Sequence, residues 1–399
     1  MALDVLAVAM LPHVVEGRRG FQYGGCIHNE ALLAGLADAG HRVRAVAEAP
    51  RDGAARAPGD LPGVEVEWLA VEYTSGREIP DDANVARRQA DLEAALERLL
   101  RDGRRPDVAV LGREAQAWYV PEVLRARGVP VVAVAQGVPV GGFEVGIYPP
   151  QDERAFVELV RSLDLTIAVA RHLEDTLRAH GVENVVTIPN AVDRAQFSPA
   201  ERDPAVRARA GVPPDAPVVA HVCGLLPGKR WQDLIASAAL VAAQVPHVRY
   251  VVAGAPDELA SAREAARSAG VHEVFRFLGE IERDAMPALL NAADLMVHTS
   301  EREGAPFTYQ EAAACGIPVV ATDIAPAREA IADGATGILY PIGDVDALSA
   351  ATIALLRDDE RRRAMGRAAR SAPHTDLHGW IDRYAGALAR AACVSPVSP

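Results

Sequence analysis

The stretch EREGAPFTYQEAAACGIPVV, residues 301–320, sets two carboxylates, Glu303 and Glu311, with seven residues between them. Pro306 suits the first turn of a helix, where its missing N–H costs nothing. FTYQEAAAC reads as a short helix that Gly316 closes and Pro318 keeps from resuming. IPVVAT then reads as a buried strand. Glu303 falls in the turn ahead of the helix, and Glu311 about one and a half turns inside it, so both can face one ligand. The free N–H groups at the helix start, near Phe307 and Thr308, suit a phosphate held between the two acids. The same pattern is met equally well by a solvated Glu311 and a Glu303 that only complements the helix dipole.

A cation for such a phosphate stands in CGLLPGKRWQDL. Lys229 is the only lysine of the chain, every other long basic side chain being arginine. A sequence so biased would replace a lysine that served only as solvated charge, so Lys229 reads as kept for its compact ammonium, a point charge for a phosphate oxygen. The loop is not a Walker A motif, because Gly224 and Gly228 enclose three residues and Arg230 follows the lysine. In YGGCIHNEALLAGLADAGHRV, Gly24 and Gly25 would let backbone approach a ligand at a helix start, and His28 reads as a residue that caps or decorates that helix. Asp344 and Asp346 form an acidic pair, yet they open an amphipathic helix, so Asp344 reads as an N-cap and no metal site is expected.

These turns need a scaffold. Short apolar runs alternate with helical patterns throughout: DVLAVAM, HRVRAVAEA, PDVAVLG, VPVVAVAQ and LTIAVA in the first half, then VVAHVCG, VRYVVAG, VFRFLG, LMVHTS and IPVVAT in the second. That alternation signifies α/β architecture, parallel sheets covered by helices. A chain of 399 residues exceeds one ordinary core. The expected division is a first domain over 1–190, a second over 191–375 opening at the Pro- and charge-rich segment after Asn190, and a last helix within 376–399 that packs back on the first domain. Ligands of doubly wound sheets bind beyond the carboxyl ends of strands, and two such domains facing each other make the cleft between them the expected site.

Bulk properties exclude other classes. Half of the residues are hydrophobic and 24% charged, as in ordinary globular proteins. The net charge of −13 argues against a general nucleic-acid binder. Cys26, Cys223, Cys315 and Cys393 are scattered, with neither zinc-site spacing nor a disulfide framework, which fits a reducing compartment. Asp4 and the lack of a basic leader make the start a first strand, and no run nears the roughly twenty apolar residues of a membrane span, so the expected location is the cytoplasm.

Taken together the chain resembles the retaining glycosyltransferases of family 4, whose GT-B fold is two facing Rossmann-like domains. The resemblance runs over nearly the whole length: the Gly24-Gly25 loop and AGHRV, IPNAVDRAQFSP at the junction, LLPGKRWQDLI, FRFLGEI, and above all the E-x7-E element with its trailing PVVAT. It implies transfer of a sugar from a nucleotide-sugar donor, UDP-linked more than GDP-linked by family habit, to a small-molecule or glycan acceptor, with no cofactor and no metal. Glu303 would hold donor-sugar hydroxyls with help from Gly304, Ala305, Pro306 and Phe307, and Thr308 would belong to the same donor pocket. Glu311 would take the ribose, Lys229 the diphosphate, the loop around Leu278 the base, and Gly25 would approach the donor from the first domain. Glu303 and Lys229 are the residues that would carry catalysis, by positioning and leaving-group stabilisation. His13, Glu114, Gln136 and Tyr148 are acceptor-side candidates. Two positions depart from the family pattern: Gly224 stands where an arginine is usual, with Arg230 as the nearby replacement charge, and Gln136 stands where a histidine ends a first-domain strand. Those departures leave two further readings in play, a nucleotide-sugar-binding protein without catalysis and a sugar-nucleotide epimerase.

Overall fold

The computed structural model describes residues 2–11, 13–15, 18–19, 24–50, 55–58, 61–71, 82–137 and 150–393. The chain divides into two compact units, Met1–Asn190 with Leu377–Pro399, and Ala191–Asp376.

Unit 1 is built on a parallel sheet of β1 (Asp4–Met10), β4 (Arg42–Pro50), β6 (Val64–Val71), β7 (Val108–Leu111), β8 (Val131–Ala135), β9 (Leu165–Ala168) and β10 (Val185–Thr187), in the order β10-β9-β8-β7-β1-β4-β6. β2 (His13–Val15), β3 (Arg18–Arg19) and β5 (Ala55–Pro58) form a small separate antiparallel sheet. The central strands are apolar from end to end because helices cover both faces, and β7 and β8 are buried at every position. Helix Gly24–Asp38 begins earlier than the sequence reading allows, so Gly24 and Gly25 belong to its first turn and not to a loop. A side chain at Gly25 would meet the Gln136 amide at 2.8 Å, and this close approach requires the glycine. His28 is no cap. It lies inside that helix, fully buried, edge-on to Trp380 at 5.1 Å and bonded to Asn190 (2.9 Å) and Tyr384 (3.1 Å). Burial drives its pKa down to about 4, so it is a neutral pin. Trp380 and Tyr384 come from the last helix, Leu377–Cys393, which packs on helix Gly24–Asp38 and on β7 and β8.

Unit 2 repeats the plan with β11 (Val218–Val222), β12 (Arg249–Ala253), β13 (Phe275–Gly279), β14 (Leu295–His298), β15 (Val319–Thr322) and β16 (Gly337–Tyr340), all parallel, in the order β13-β12-β11-β14-β15-β16. Alternate residues serve opposite faces. Val219 joins the apolar layer with Leu234 and Leu348, while Val218, Ala220 and Val222 join the layer with Met296 and Ala312. Strand order reverses between β11 and β14, the place where doubly wound sheets leave a crevice outside the strand ends. No helix among the described residues is long and apolar enough to cross a membrane.

Candidate functional site

Three turns at the carboxyl ends of β11, β14 and β15 meet at that crevice. After β11 the chain turns at Gly228 (φ 83°) and Arg230 (φ 47°) before helix Trp231–Gln244. The Lys229 backbone carbonyl accepts the Thr299 hydroxyl at 2.7 Å, and the Glu301 amide donates to the Gly228 carbonyl at 3.0 Å. These bonds tie the lysine loop to the acid loop. The Thr322 hydroxyl, at the end of β15, donates to the Ser300 carbonyl and holds the acid loop from the other side. Gly254 (φ 144°) supports the lysine loop from β12, where a Cβ would meet the Cys223 carbonyl oxygen at 2.5 Å.

Within this frame the Lys229 ammonium donates to Glu303 Oε1 at 2.5 Å, with the two side chains 23% and 13% exposed. Burial alone would lower the Lys229 pKa, but the Glu303 carboxylate overrides it and the net shift is upward. For Glu303 burial pushes upward while Lys229 and then His298 pull harder, and its carboxyl ends below the usual range. His298, the last residue of β14, lies with Nε2 3.6 Å from Glu303 Oε1 and Nδ1 3.2 Å from the Tyr309 hydroxyl.

Helix Phe307–Ala314 follows, with Pro306 at its N-cap and not in its first turn, and Gly316 (φ 74°) just past its end. Its leading amides have no partners within the helix. The Thr308 hydroxyl oxygen is buried without a hydrogen-bond partner among the described residues, and Gly304, Ala305, Pro306 and Phe307 are half-buried. Glu311 is 1% exposed and accepts from Arg283, whose guanidinium lies 4.7 Å over the Phe197 ring. Burial raises its carboxyl pKa and Arg283 offsets that in part.

The structure therefore brings Lys229, Glu303, Phe307, Thr308 and Glu311 to one end of one sheet. Arg230 is turned elsewhere, bonded to Asp233 at 2.7 Å and 3.7 Å from Glu301. The charge beside the lysine comes instead from Arg302. Its Nη2 lies 3.0 Å from where a Cβ of Gly228 would stand, it acts electrostatically on Lys229, and among the described residues it makes no hydrogen bond or ion pair. Leu278, 36% exposed, is the last residue but one of the edge strand β13 and lines a cavity of about 480 Å³ together with Phe277 and Arg276. In unit 1, Gln136 donates to the Gly112 carbonyl at 2.6 Å over Gly25. Tyr148 and the side chains of His13 and Glu114 lie outside the described residues. The Asp344 carboxylate caps helix Val345–Arg357 by accepting from the Ala347 amide at 2.8 Å.

Sequence reasoning missed His298, Arg283, Arg302 and Cys223 as site residues. His298 and Cys223 had one available signal, a polar residue at the end of an apolar strand, and Arg302 stands next to Glu303 in the acid loop; Arg283 has none, since Glu311 lies 28 positions away.

Two parallel Rossmann-like sheets with the reactive groups at the switch point of the second define a GT-B glycosyltransferase fold. Residues 24–196 match the family described as Glycosyltransferase Family 4, and residues 203–372 match Glycosyl transferases group 1. The chain belongs to the family 4 glycosyltransferases. It is 34% identical to the D-inositol 3-phosphate glycosyltransferase of Kineococcus radiotolerans, over 54% of this chain and 53% of that protein. It is also 34% identical to the GDP-mannose-dependent alpha-(1-6)-phosphatidylinositol monomannoside mannosyltransferase of Mycolicibacterium smegmatis, over 50% of this chain and 53% of the relative. The matches thus span about half the length of these relatives. Among solved structures, Anabaena HepE in complex with UDP and glucose superposes with a TM-score of 0.76 at 18% identity, covering 97% of this chain and all of that one. Sucrose-phosphate synthase of Thermosynechococcus elongatus gives 0.76 at 19%, covering 97% of each.

Proposed function

We propose that the protein transfers a sugar from a nucleoside-diphosphate-sugar to an acceptor hydroxyl with retention at the anomeric carbon. The observation that carries this reading is the Lys229–Glu303 pair set at the mouth of helix Phe307–Ala314. As it stands the pair is neutral. When a donor binds, its diphosphate takes over the ammonium and the leading amides of the helix, and Glu303 turns its freed carboxylate to the sugar hydroxyls. Arg302, which makes no ion pair among the described residues, supplies the second positive charge on the diphosphate. A lysine, an arginine and a helix start then neutralise the leaving group as the glycosidic bond breaks, so transfer needs no divalent ion. Glu311, oriented by Arg283, takes the ribose.

Glu303 is a depressed-pKa carboxylate held by two cationic or imidazole neighbours, suited to accepting hydrogen bonds. In the mechanism that the family resemblance implies, a donor phosphate oxygen takes the acceptor proton, and catalysis is positioning plus leaving-group stabilisation. The relatives' names include both a GDP-mannose-dependent enzyme and a protein crystallised with UDP, and either nucleotide presents the same diphosphate to this site.

The test is a thermal-shift screen of nucleotide sugars, followed by nucleoside diphosphate release with candidate acceptors and NMR of the product's anomeric configuration. A donor that raises the midpoint and turns over with retention supports the reading. Binding without turnover across acceptors would leave a binding protein, and a new sugar nucleotide formed without acceptor would make it an epimerase.

A further inference from the structure

Cys223, His298 and Glu303 reach one point from three segments: the residue after β11, the last residue of β14, and the turn beyond it. Sγ, an imidazole nitrogen and a carboxylate oxygen lie within 4.8 Å of one another. The 3.6 Å between His298 Nε2 and Glu303 Oε1 is near the roughly 3.3–3.6 Å edge that a tetrahedral ion with nitrogen and oxygen bonds of about 2.0–2.2 Å imposes. The Tyr309 hydroxyl on Nδ1 of the same ring, at 3.2 Å, is the outer contact that orients a ligating imidazole.

A second, independent feature points to the same place. The His221 ring lies tilted against His298 with centroids 6.3 Å apart, and its Nδ1 donates to the Val297 carbonyl at 3.0 Å, which leaves a lone pair on Nε2. That atom is buried and has no hydrogen-bond partner among the described residues. An orphaned buried acceptor is costly unless something visits it.

We propose that Cys223, His298 and Glu303 form an inhibitory site for a soft divalent cation of the zinc class, which draws Glu303 away from Lys229. The sulfur and nitrogen donors select such an ion over magnesium or calcium. On entry the ion displaces the thiol proton, which leaves to solvent, and thiolate and carboxylate together balance its two charges. Lys229, 23% exposed, is released toward solvent, and the orphaned lone pair of His221 offers a partner to a water on the ion's open position. Cys223 is partly exposed, which provides the way in. The ion occupies the carboxylate that the donor sugar requires, and this inhibitory part rests on the function proposed above.

Cobalt titration of the chelator-treated full chain tests the site directly. A thiolate-to-cobalt charge-transfer band in the near ultraviolet should saturate at one equivalent, vanish in Cys223→Ser and persist in Cys26→Ser, Cys315→Ser and Cys393→Ser. His298→Gln, a second variant should the serine one not fold, is expected to weaken cobalt binding about tenfold or more. No band in the wild type, or a band that survives Cys223→Ser, overturns the proposal. Zinc should also abolish nucleotide-sugar turnover reversibly to chelator. Undiminished turnover with the band saturated overturns the inhibition, whereas a metal-free chain with no turnover at all strikes at the donor reading and leaves the band untouched.

Discussion

Replacing Lys229 by methionine separates two roles that one ammonium fills. It removes the partner of a carboxylate only 13% exposed, and it removes a cation from the proposed diphosphate site. Breaking a fully buried pair costs about 3–5 kcal/mol and an exposed one about 0–1 kcal/mol. With the lysine 23% exposed, solvent screening brings the expected loss to about 2 kcal/mol. For a unit the size of Ala191–Asp376 that lowers the melting midpoint by about 4–8 °C. Losing one preorganised stabiliser of the leaving group costs about 2.7–4 kcal/mol in the transition state, or about 10²–10³ in rate.

The double variant Lys229→Met/Glu303→Gln tells the two apart. An uncharged amide needs no counter-ion, so calorimetry is expected to show most of the lost stability regained, while affinity for a nucleoside diphosphate, which carries no sugar for Glu303 to hold, stays about 10–100-fold down. If the double variant regains diphosphate affinity along with stability, Lys229 is only a clamp on Glu303 and the mechanism fails. The single lysine offers a second handle, because an amine-selective reagent meets no other ε-amine in the chain. The Lys229 pKa is raised by Glu303, so labelling at mildly alkaline pH is expected to be slow in the wild type and faster in Glu303→Gln. Equal labelling rates would contradict the pair.

Arg302→Ala should weaken nucleoside diphosphate binding about 10–100-fold, the worth of a charge-assisted bond, with nucleoside binding unchanged in titration calorimetry; an equal loss for both refutes its place on the phosphates. Gly254→Ala should cost about 1–3 kcal/mol in urea unfolding, because its Cβ would stand 2.5 Å from the Cys223 carbonyl oxygen; a change below about 0.5 kcal/mol would mean that β12 does not brace the lysine loop. Glu311 has its carboxyl raised above the ordinary 4.5 and Glu303 has its carboxyl lowered, so nucleotide affinity should fall with an inflection above 4.5 as pH drops from about 7, and Glu311→Gln should flatten that step. The same raised pKa means that the folded state binds the proton more tightly than the unfolded chain, so Glu311 contributes a stability that rises as pH falls through this window.

What the sequence disclosed follows from which interactions are local. Interior strands such as β7 and β8 are apolar from end to end, and β1, β11 and β14 are apolar but for one residue each, so all stand out as runs. In the two parallel sheets, the strands that the apolar runs do not reveal, β6, β10 and β16, all lie at sheet edges. An edge strand has one neighbour and partly solvated residues: VEVEWLAV of β6 mixes charge with apolar groups, and GILY of β16 is four residues long. Caps were legible for the same reason, since Asp344 and Gly316 act on residues within a turn of themselves. Start positions were less so, and helix Gly24–Asp38 absorbs two glycines that propensity places outside it, because tertiary packing against Gln136 sets their place.

The site divides along the same line. Lys229 and Glu303 could each be picked out by residue type and by position after a strand, because an open parallel sheet sends every such turn to one end. Their pairing across 74 positions could not; the capture of Arg230 by Asp233, three residues on, is local and was open to sequence reasoning, which passed over it, and it hands the second charge to Arg302. The strand order explains why these particular turns meet. β11 and β14 are neighbours at the reversal, so the chain leaves them toward opposite faces of the sheet and no helix can fill the space between their ends. A charged pair placed there stays partly wet, and an ammonium that is both bound to a carboxylate and within reach of solvent can exchange that carboxylate for an incoming phosphate. One strand further in either direction, both turns would lie under the same helix layer, and the pair would be a sealed salt bridge with no access for a ligand.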